Sequence, residues 1–161
     1  MIMQSELGIK EEQTMPKLFI YYSLSGNGDV VADYLKSKGF EIRKVNASYK
    51  LSKVFFFAMM KGGFDAGRNK KAKLIDYDPD LSAYEEVVIG SPIWNGKLSC
   101  PINTVLSKTD FTGKNLAFIL YAGSGSAPKT ELRLKKAYPS AKIIVLKEPK
   151  SHEDELDKIE L

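Results

Sequence analysis

The chain has 161 residues, of which 43% are hydrophobic and 27% charged, a balance that is ordinary for one folded domain and excludes a disordered chain. Its 24 basic and 20 acidic residues leave a net charge of +4, which is too mild and too interleaved for a typical nucleic-acid-binding surface. A single cysteine, Cys100, excludes an internal disulfide and predicts a reducing, cytoplasmic location.

The first residues predict a tail rather than part of the fold. Residues 1–14 are polar without a sustained period, so the folded domain is expected to span residues 15–161. They also lack the charged-then-apolar layout of a secretory signal. The longest apolar run, residues 54–60, is far too short to cross a bilayer, so no membrane segment is expected.

From Lys17 onward, short apolar runs alternate with helical patterns. The predicted strands are residues 18–22, 42–45, 86–90, 116–121 and 143–146. The predicted helices lie around 30–35, over 52–66, from Pro101 onward, between Pro128 and Pro139, and in a short C-terminal segment with a capping box of Ser151 and Asp154. This alternation predicts an α/β protein, a three-layer α/β/α sandwich around a five-stranded parallel sheet.

Charges on two of the strands predict the strand order. Arg43 and Lys44 lie in the second strand, and Lys142 and Lys147 bracket the fifth, which suits sheet edges. The order 2-1-3-4-5 follows, a common doubly wound arrangement. Ligands of such sheets bind beyond the carboxyl ends of the first and third strands, so the loops at 23–28, 91–100 and 122–127 form the candidate site.

The first loop, Ser23-Leu24-Ser25-Gly26-Asn27-Gly28, runs from a strand into a helix N-terminus, where free amides and the helix dipole favour an anion. The two glycines allow close backbone approach, and the serines and the asparagine add neutral donors. Because the loop contains no lysine or arginine, it predicts a terminal phosphate held by hydrogen bonds alone. The alternative is a plain turn with a helix cap.

The second and third loops can border the same ligand. The second carries the one tryptophan of the chain, Trp94, which either stacks on a flat heteroaromatic ring or simply closes the end of the sheet. The following Asn95-Gly96 pair tolerates positive φ angles. The third loop exposes backbone amides at Gly123 and Gly125 and has no bulky side chain.

Other site classes match the sequence less well. Gly26 and Gly28 begin the glycine pattern of dinucleotide sites, but Val31 replaces the third glycine. A phospho-receiver needs an aspartate after the third strand, where Gly90-Ser91-Pro92 stands instead, and a low-mass tyrosine phosphatase needs a cysteine and an arginine in the first loop. No metal site can be built around the only histidine, His152, and no catalytic residue is predicted.

Three tracts resemble flavodoxins in the right order: YYSLSGNG their phosphate loop, YEEVVIGSPIWNGKLSCPI their third strand and ring-binding loop, and FILYAGSG their fourth strand and its loop. The resemblance spans Lys17 to about Lys150 and implies a flavodoxin-like fold that binds FMN non-covalently, with Trp94 stacked on the isoalloxazine ring. The implied FMN-binding residues are Ser23, Leu24, Ser25, Gly26, Asn27 and Gly28 in the first loop, Ser91, Pro92, Ile93, Trp94, Asn95 and Gly96 in the second, and Gly123, Ser124 and Gly125 in the third.

Two positions depart from the flavodoxin pattern. Gly28 stands where the family usually has serine or threonine, and the third loop lacks the aromatic residue that commonly covers the second face of the ring. An uncovered ring face would allow a nicotinamide to stack, so two functions stay open.

The first expected function is an FMN electron carrier that acts on a redox partner protein. The alternative is an FMN-dependent NAD(P)H oxidoreductase that reduces a quinone or a similar small acceptor. Neither nucleic acid nor a membrane is an expected partner, and the protein is expected to be a monomer or a homodimer.

Overall fold

The computed structural model describes residues 15–48 and 72–161. Its strands are β1 (Lys17–Tyr21), β2 (Phe40–Lys44), β3 (Asn46–Ala47), β4 (Leu74–Ile75), β5 (Glu86–Trp94), β6 (Lys97–Leu98), β7 (Asn115–Ala122) and β8 (Lys142–Lys147). Its helices are α1 (Asn27–Ser37), α2 (Cys100–Lys108) and α3 (Pro128–Ala137), and a 3-10 helix follows at Glu153–Lys158. The predicted N-terminal tail and the predicted helix over 52–66 lie outside the described residues.

The main sheet has the order β2-β1-β5-β7-β8, with all four neighbouring pairs parallel. This confirms the predicted order, because these strands are the second, first, third, fourth and fifth of the sequence prediction. Short β6 pairs antiparallel with the end of β5, and β3 and β4 form a separate antiparallel pair. The charged strands β2 and β8 are the two edges, as their sequences predicted.

Helices cover both faces of the sheet. Side chains alternate along a strand, so Leu18 and Ile20 of β1 point to one face while Phe19 and Tyr21 point to the other. The first face packs against α2 and α3, and the second against α1 and the C-terminal segment. This is the predicted three-layer α/β/α sandwich, and it leaves the strand ends as the places where loops can form a site.

Local signals in the sequence set most helix ends. Gly39, at φ 91°, follows the end of α1, and Pro128 begins α3. The predicted capping box of Ser151 and Asp154 is wrong: the 3-10 helix begins at Glu153, and no described side chain caps it. Glu155 instead accepts a hydrogen bond from the backbone N–H of Lys147 at 2.8 Å, which ties this segment back to β8. No described helix is long and apolar enough to span a bilayer.

Candidate functional site

The carboxyl ends of β1, β5, β7 and β8 lie together at one edge of the sheet. In the parallel register Tyr21 is opposite Gly90, and Ala122 is opposite Lys147. The segments that leave these strands therefore start side by side. Three of them are the predicted loops, and the fourth is the turn after β8.

A cavity of about 290 Å³ lies where these segments meet. It is lined by Leu24, Ser25, Asn27, Pro92, Ile93, Trp94, Asn95, Tyr121, Gly123 and Glu148. Larger cavities occur between α2 and α3, at about 320 Å³, and beside the end of α1, at about 420 Å³. Of the residues that line these two cavities, only Leu98 belongs to a predicted loop, whereas residues of all three loops line the cavity at the strand ends, which is therefore the candidate site.

The first loop presents the N-terminus of α1 to this cavity. Gly26 is the residue before the helix and has φ 97°, a left-handed conformation that glycine adopts without strain. Among the described side chains none caps the helix at this residue. The backbone N–H of Gly28 donates to Ser23 Oγ at 3.1 Å, and Asn27 Nδ2 donates to Ser25 Oγ at 3.1 Å. These bonds hold the loop together, and Ser23 accepts from one of the N–H groups in the first turn of α1.

Gly28 is a glycine because its surroundings leave no space for a side chain. A Cβ atom at this position would lie 2.6 Å from the Tyr121 hydroxyl oxygen and 2.8 Å from both Ser23 Cβ and Tyr21 Cδ2. The Tyr121 hydroxyl is itself held in place, since it donates to the backbone carbonyl of Tyr22. At this position, where flavodoxins usually have serine or threonine, the Tyr121 side chain from β7 occupies the space that a side chain would need.

The second loop is shorter than the sequence predicted, because β5 continues to Trp94. Its later residues pair with β7 and then with β6, in the register Pro92 to Tyr121 and Ile93 to Leu98. Asn95 and Gly96 form the hairpin turn with φ 50° and 72°, the positive angles that this pair tolerates.

Trp94 forms part of the cavity wall but is mostly buried. Its side chain is 9% exposed, and its ring packs edge-on against Tyr22 with centroids 5.8 Å apart. It therefore both closes the end of the sheet and borders the cavity. The neighbouring turn is anchored, since the Thr130 hydroxyl donates to the Gly96 carbonyl at 2.6 Å.

Several predicted site residues lie away from the cavity lining. Ser91 is fully buried, where its hydroxyl donates to the Pro92 carbonyl and contacts Ser99 Oγ at 3.0 Å. Ser124 and Gly125 lie in the third loop, but of its predicted residues only Gly123 lines the cavity. Ser91 thus supports the second loop through hydrogen bonds in the protein interior and is not part of the cavity lining.

Sequence reasoning missed the turn after β8, which brings Lys150 to the first loop. The Lys150 ammonium donates to the Ser25 carbonyl at 3.2 Å, and its backbone N–H donates to Asn27 Oδ1 at 3.0 Å. A lysine from outside the loop therefore lies against the segment that the sequence predicts to hold a phosphate by hydrogen bonds alone. The strand order did contain the signal, because it places the end of β8 at the same edge as the three loops.

Asp29, in the first turn of α1, is paired beside the loop. Its Oδ1 accepts hydrogen bonds from the Tyr21 hydroxyl at 2.7 Å and from the Lys44 ammonium at 2.8 Å. Partial burial raises the pKa of this carboxyl, but the two hydrogen bonds and the charges of Lys44 and Lys150 outweigh burial and hold it below 3.8. Burial, and then Asp29, raise the pKa of Tyr21 above 10.0, so the pair is a carboxylate and a neutral phenol at neutral pH.

We expect Asp29→Asn to lower the free energy of unfolding at neutral pH by less than about 1 kcal/mol, because Asp29 and Lys44 are both 45% exposed. A carboxyl whose pKa is lowered by folding stabilises the protein fully above its unfolded pKa and loses that effect as the pH falls through its folded pKa. The difference between the two proteins in urea unfolding should therefore shrink below about pH 4. A difference that stays constant with pH would mean that packing, not charge, is affected.

The chain is similar to a known protein family in sequence and to solved structures in fold. A flavodoxin family model matches residues 64–161, more than half of the chain, and no curated protein matches it in sequence. A candidate flavoprotein from Bacteroides eggerthii has a similar structure, with a TM-score of 0.71, 20% identity and coverage of 88% of this chain and 96% of that one. A flavoprotein from Lactobacillus acidophilus, solved in complex with FMN, has a TM-score of 0.56, 21% identity and coverage of 81% and 90%.

At such identities the solved structures show the shared fold, and the family match rests on the sequence itself. The strand order, the three resembling tracts and the family match agree. The chain belongs to the flavodoxin family.

Proposed function

We propose that this protein binds FMN non-covalently and uses it to transfer electrons. The observation that carries the proposal is the meeting of the first loop, the Trp94 hairpin and the third loop around one cavity at the switch point of the sheet. Membership of the flavodoxin family supports FMN as the cofactor, and the similar flavoprotein from Lactobacillus acidophilus was solved with FMN.

The first loop fits the phosphate end of FMN. It offers the amides of the α1 N-terminus together with the hydroxyls of Ser23 and Ser25. Gly26 adopts a positive φ and has no side chain of its own, so Lys150 is the side chain that lies next to its backbone. We assign Ser23–Gly28 to the phosphate on this basis.

The hairpin fits the ring end. Pro92, Ile93 and Trp94 give the cavity an apolar wall, and the polar Asn95 also lines it. A flat apolar ring with polar edges suits such a wall, with backbone groups reading the polar edge. Gly123 borders the cavity from the opposite loop, where a side chain would narrow it.

When bound, FMN supplies one- and two-electron redox chemistry, and the protein supplies orientation and electrostatics. Glu148 adds a negative charge to the cavity lining, while Lys150 lies at the first loop. A ring edge open to solvent is sufficient for electron exchange with a partner protein. The partner, the monomer or homodimer state and the cytoplasmic location stay sequence-based proposals.

One observation favours the alternative, an NAD(P)H oxidoreductase. The third loop brings no aromatic residue to the cavity, and the nearby Tyr121 is only 3% exposed, with its hydroxyl bonded to the Tyr22 carbonyl. An isoalloxazine ring that this loop leaves uncovered would have one face on which a nicotinamide could stack. Steady-state oxidation of NADH or NADPH by the pure protein, without a reductase, would establish the enzyme, and its absence would favour the carrier.

FMN binding is tested by titrating the purified apoprotein and following the quenching of flavin fluorescence. We expect saturable binding of one FMN per chain, and weaker binding by Gly26→Ala. Gly113→Ala is the matched control, because Gly113 also has a positive φ, at 76°, but lies in the turn before β7 at the opposite edge of the sheet. No binding by the native chain, or equal loss in both variants, would contradict the proposed site.

A further inference from the structure

The chain after β8 folds into a tight turn against the first loop. Glu148 has φ 37°, and its carbonyl accepts hydrogen bonds from the backbone N–H groups of Ser151 at 2.9 Å and His152 at 3.0 Å. A non-glycine residue in this conformation is held there by its surroundings. The turn is therefore a defined structure that places the backbone of Lys150 against the loop.

Two hydrogen bonds and a close packing contact join Lys150 to the first loop. Its backbone N–H donates to Asn27 Oδ1, and the same asparagine donates to Ser25 Oγ, so the side chain of Asn27 bridges turn and loop. The Lys150 side chain lies over Gly26: a Cβ there would be 3.1 Å from both Lys150 Cδ and Nζ. The ammonium therefore lies within reach of a ligand that contacts the backbone at Ser25 and Gly26.

Among the residues that the structure describes, Lys150 is the cation that contacts the backbone of the first loop. Asp29 is near enough for Lys150 to lower its pKa, but the Asp29 carboxylate is paired with Lys44 at 2.8 Å. Glu148, on the same turn, points to the third loop, 3.7 Å from where a Cβ of Gly123 would be. The ammonium has three donors, and the Ser25 carbonyl accepts one hydrogen bond from it.

We propose that Lys150 is the counter-ion of the FMN phosphate and makes the site select phosphorylated flavin over riboflavin. The inference rests on the proposed FMN site and adds a charge that the loop itself lacks. A dianion at the α1 N-terminus gains a charge-assisted hydrogen bond from this ammonium, whereas riboflavin, which lacks the phosphate, gains nothing from it. Selection then depends on ionic strength, because Lys150 is at the surface.

The competing explanation is that Lys150 only braces the loop through the Ser25 carbonyl. Bracing would affect the stability of the apoprotein and the binding of both flavins alike. A counter-ion affects FMN alone and is replaceable by another cation. Comparison of the two flavins therefore separates the two roles.

The experiment measures dissociation constants for FMN and for riboflavin with the native chain, Lys150→Gln, Lys150→Arg and Lys142→Gln. Lys142 is the matched control, an exposed lysine at the opposite end of β8. We expect Lys150→Gln to weaken FMN binding about three- to thirtyfold at low ionic strength, with riboflavin binding and the urea midpoint of the apoprotein unchanged. Lys150→Arg should retain most of the FMN affinity, and Lys142→Gln all of it.

The dependence of FMN affinity on salt concentration is a second test of the counter-ion role. The FMN affinity of the native chain should fall between about 0.02 M and 0.5 M salt more steeply than that of Lys150→Gln. The counter-ion role is overturned, while the FMN site stands, if the native chain binds FMN and Lys150→Gln binds it equally well. The same holds if Lys150→Gln weakens the binding of FMN and of riboflavin by the same factor. If the native chain binds riboflavin and FMN equally, selection by phosphate is overturned; if it binds neither, the proposed function falls as well.

Discussion

Replacing Gly28 with alanine is expected to lower the free energy of unfolding by about 1–3 kcal/mol, the usual cost of forcing an extra methyl group into a packed interior. The reason is steric. The new Cβ would meet the Tyr121 hydroxyl at 2.6 Å and two further side chains at 2.8 Å, all closer than real contacts allow. In an open helix the same substitution would be stabilising, because alanine is the better helix former.

Gly123→Ala is the control for this substitution. A Cβ at Gly123 would meet only Glu148 Oε1, at 3.7 Å, which is an ordinary contact, so its free energy of unfolding should be unchanged. Urea unfolding of the two apoproteins makes the comparison without any flavin. Equal stability of Gly28→Ala and the native chain would show that Tyr121 and Ser23 can move aside, and would remove the steric reason for the glycine.

The same clash should also reduce FMN affinity. The N–H of Gly28 donates to Ser23 Oγ, so a shift of the backbone at Gly28 displaces a hydroxyl that we assign to the phosphate. Tyr121→Phe removes the closest of the three obstructing atoms. In the double variant we therefore expect part of the stability lost by Gly28→Ala to return, a coupling that neither single variant shows alone.

The strands and their order could be predicted from the sequence because the signals for them lie within each strand. Apolar runs defined the central strands, and Arg43 and Lys44 assigned β2 to an edge. The turn at Asn95-Gly96 was likewise readable, since the preference of this pair for positive φ is a property of the pair itself. Predictions of this kind need no knowledge of what packs against the residue.

The features that were missed depend on residues far apart in the chain. Lys150 reaches Ser25 across 125 positions, and Tyr121 reaches Tyr22 across 99. No period or motif reports such a pair, because each residue taken alone is an ordinary lysine or an ordinary strand tyrosine. The wrong capping box differs from these cases, because the contact made instead, from the Lys147 backbone to Glu155, spans only eight positions.

Replacement of Trp94 is the substitution with the largest expected effect on both stability and binding. Its ring is 9% exposed and packs edge-on on Tyr22, so Trp94→Ala should cost about 3–5 kcal/mol of unfolding free energy through the cavity that it leaves. Such a loss by itself could prevent folding. Phenylalanine and leucine at position 94 both keep an apolar side chain in the wall, and only the first keeps a ring.

The comparison of Trp94→Phe with Trp94→Leu therefore tests the role of the ring. If Trp94 contributes an aromatic contact to the flavin, Trp94→Leu should bind FMN more weakly than Trp94→Phe by about 0.5–1.5 kcal/mol, the usual extra value of an aromatic pair. Fluorescence titration gives the affinities, and urea unfolding of the apoproteins measures the cost to the core. Equal FMN affinities in the two variants would leave Trp94 as the residue that closes the end of β5 and would assign the ring contact to another part of the wall, of which Pro92 and Ile93 are the nearest members.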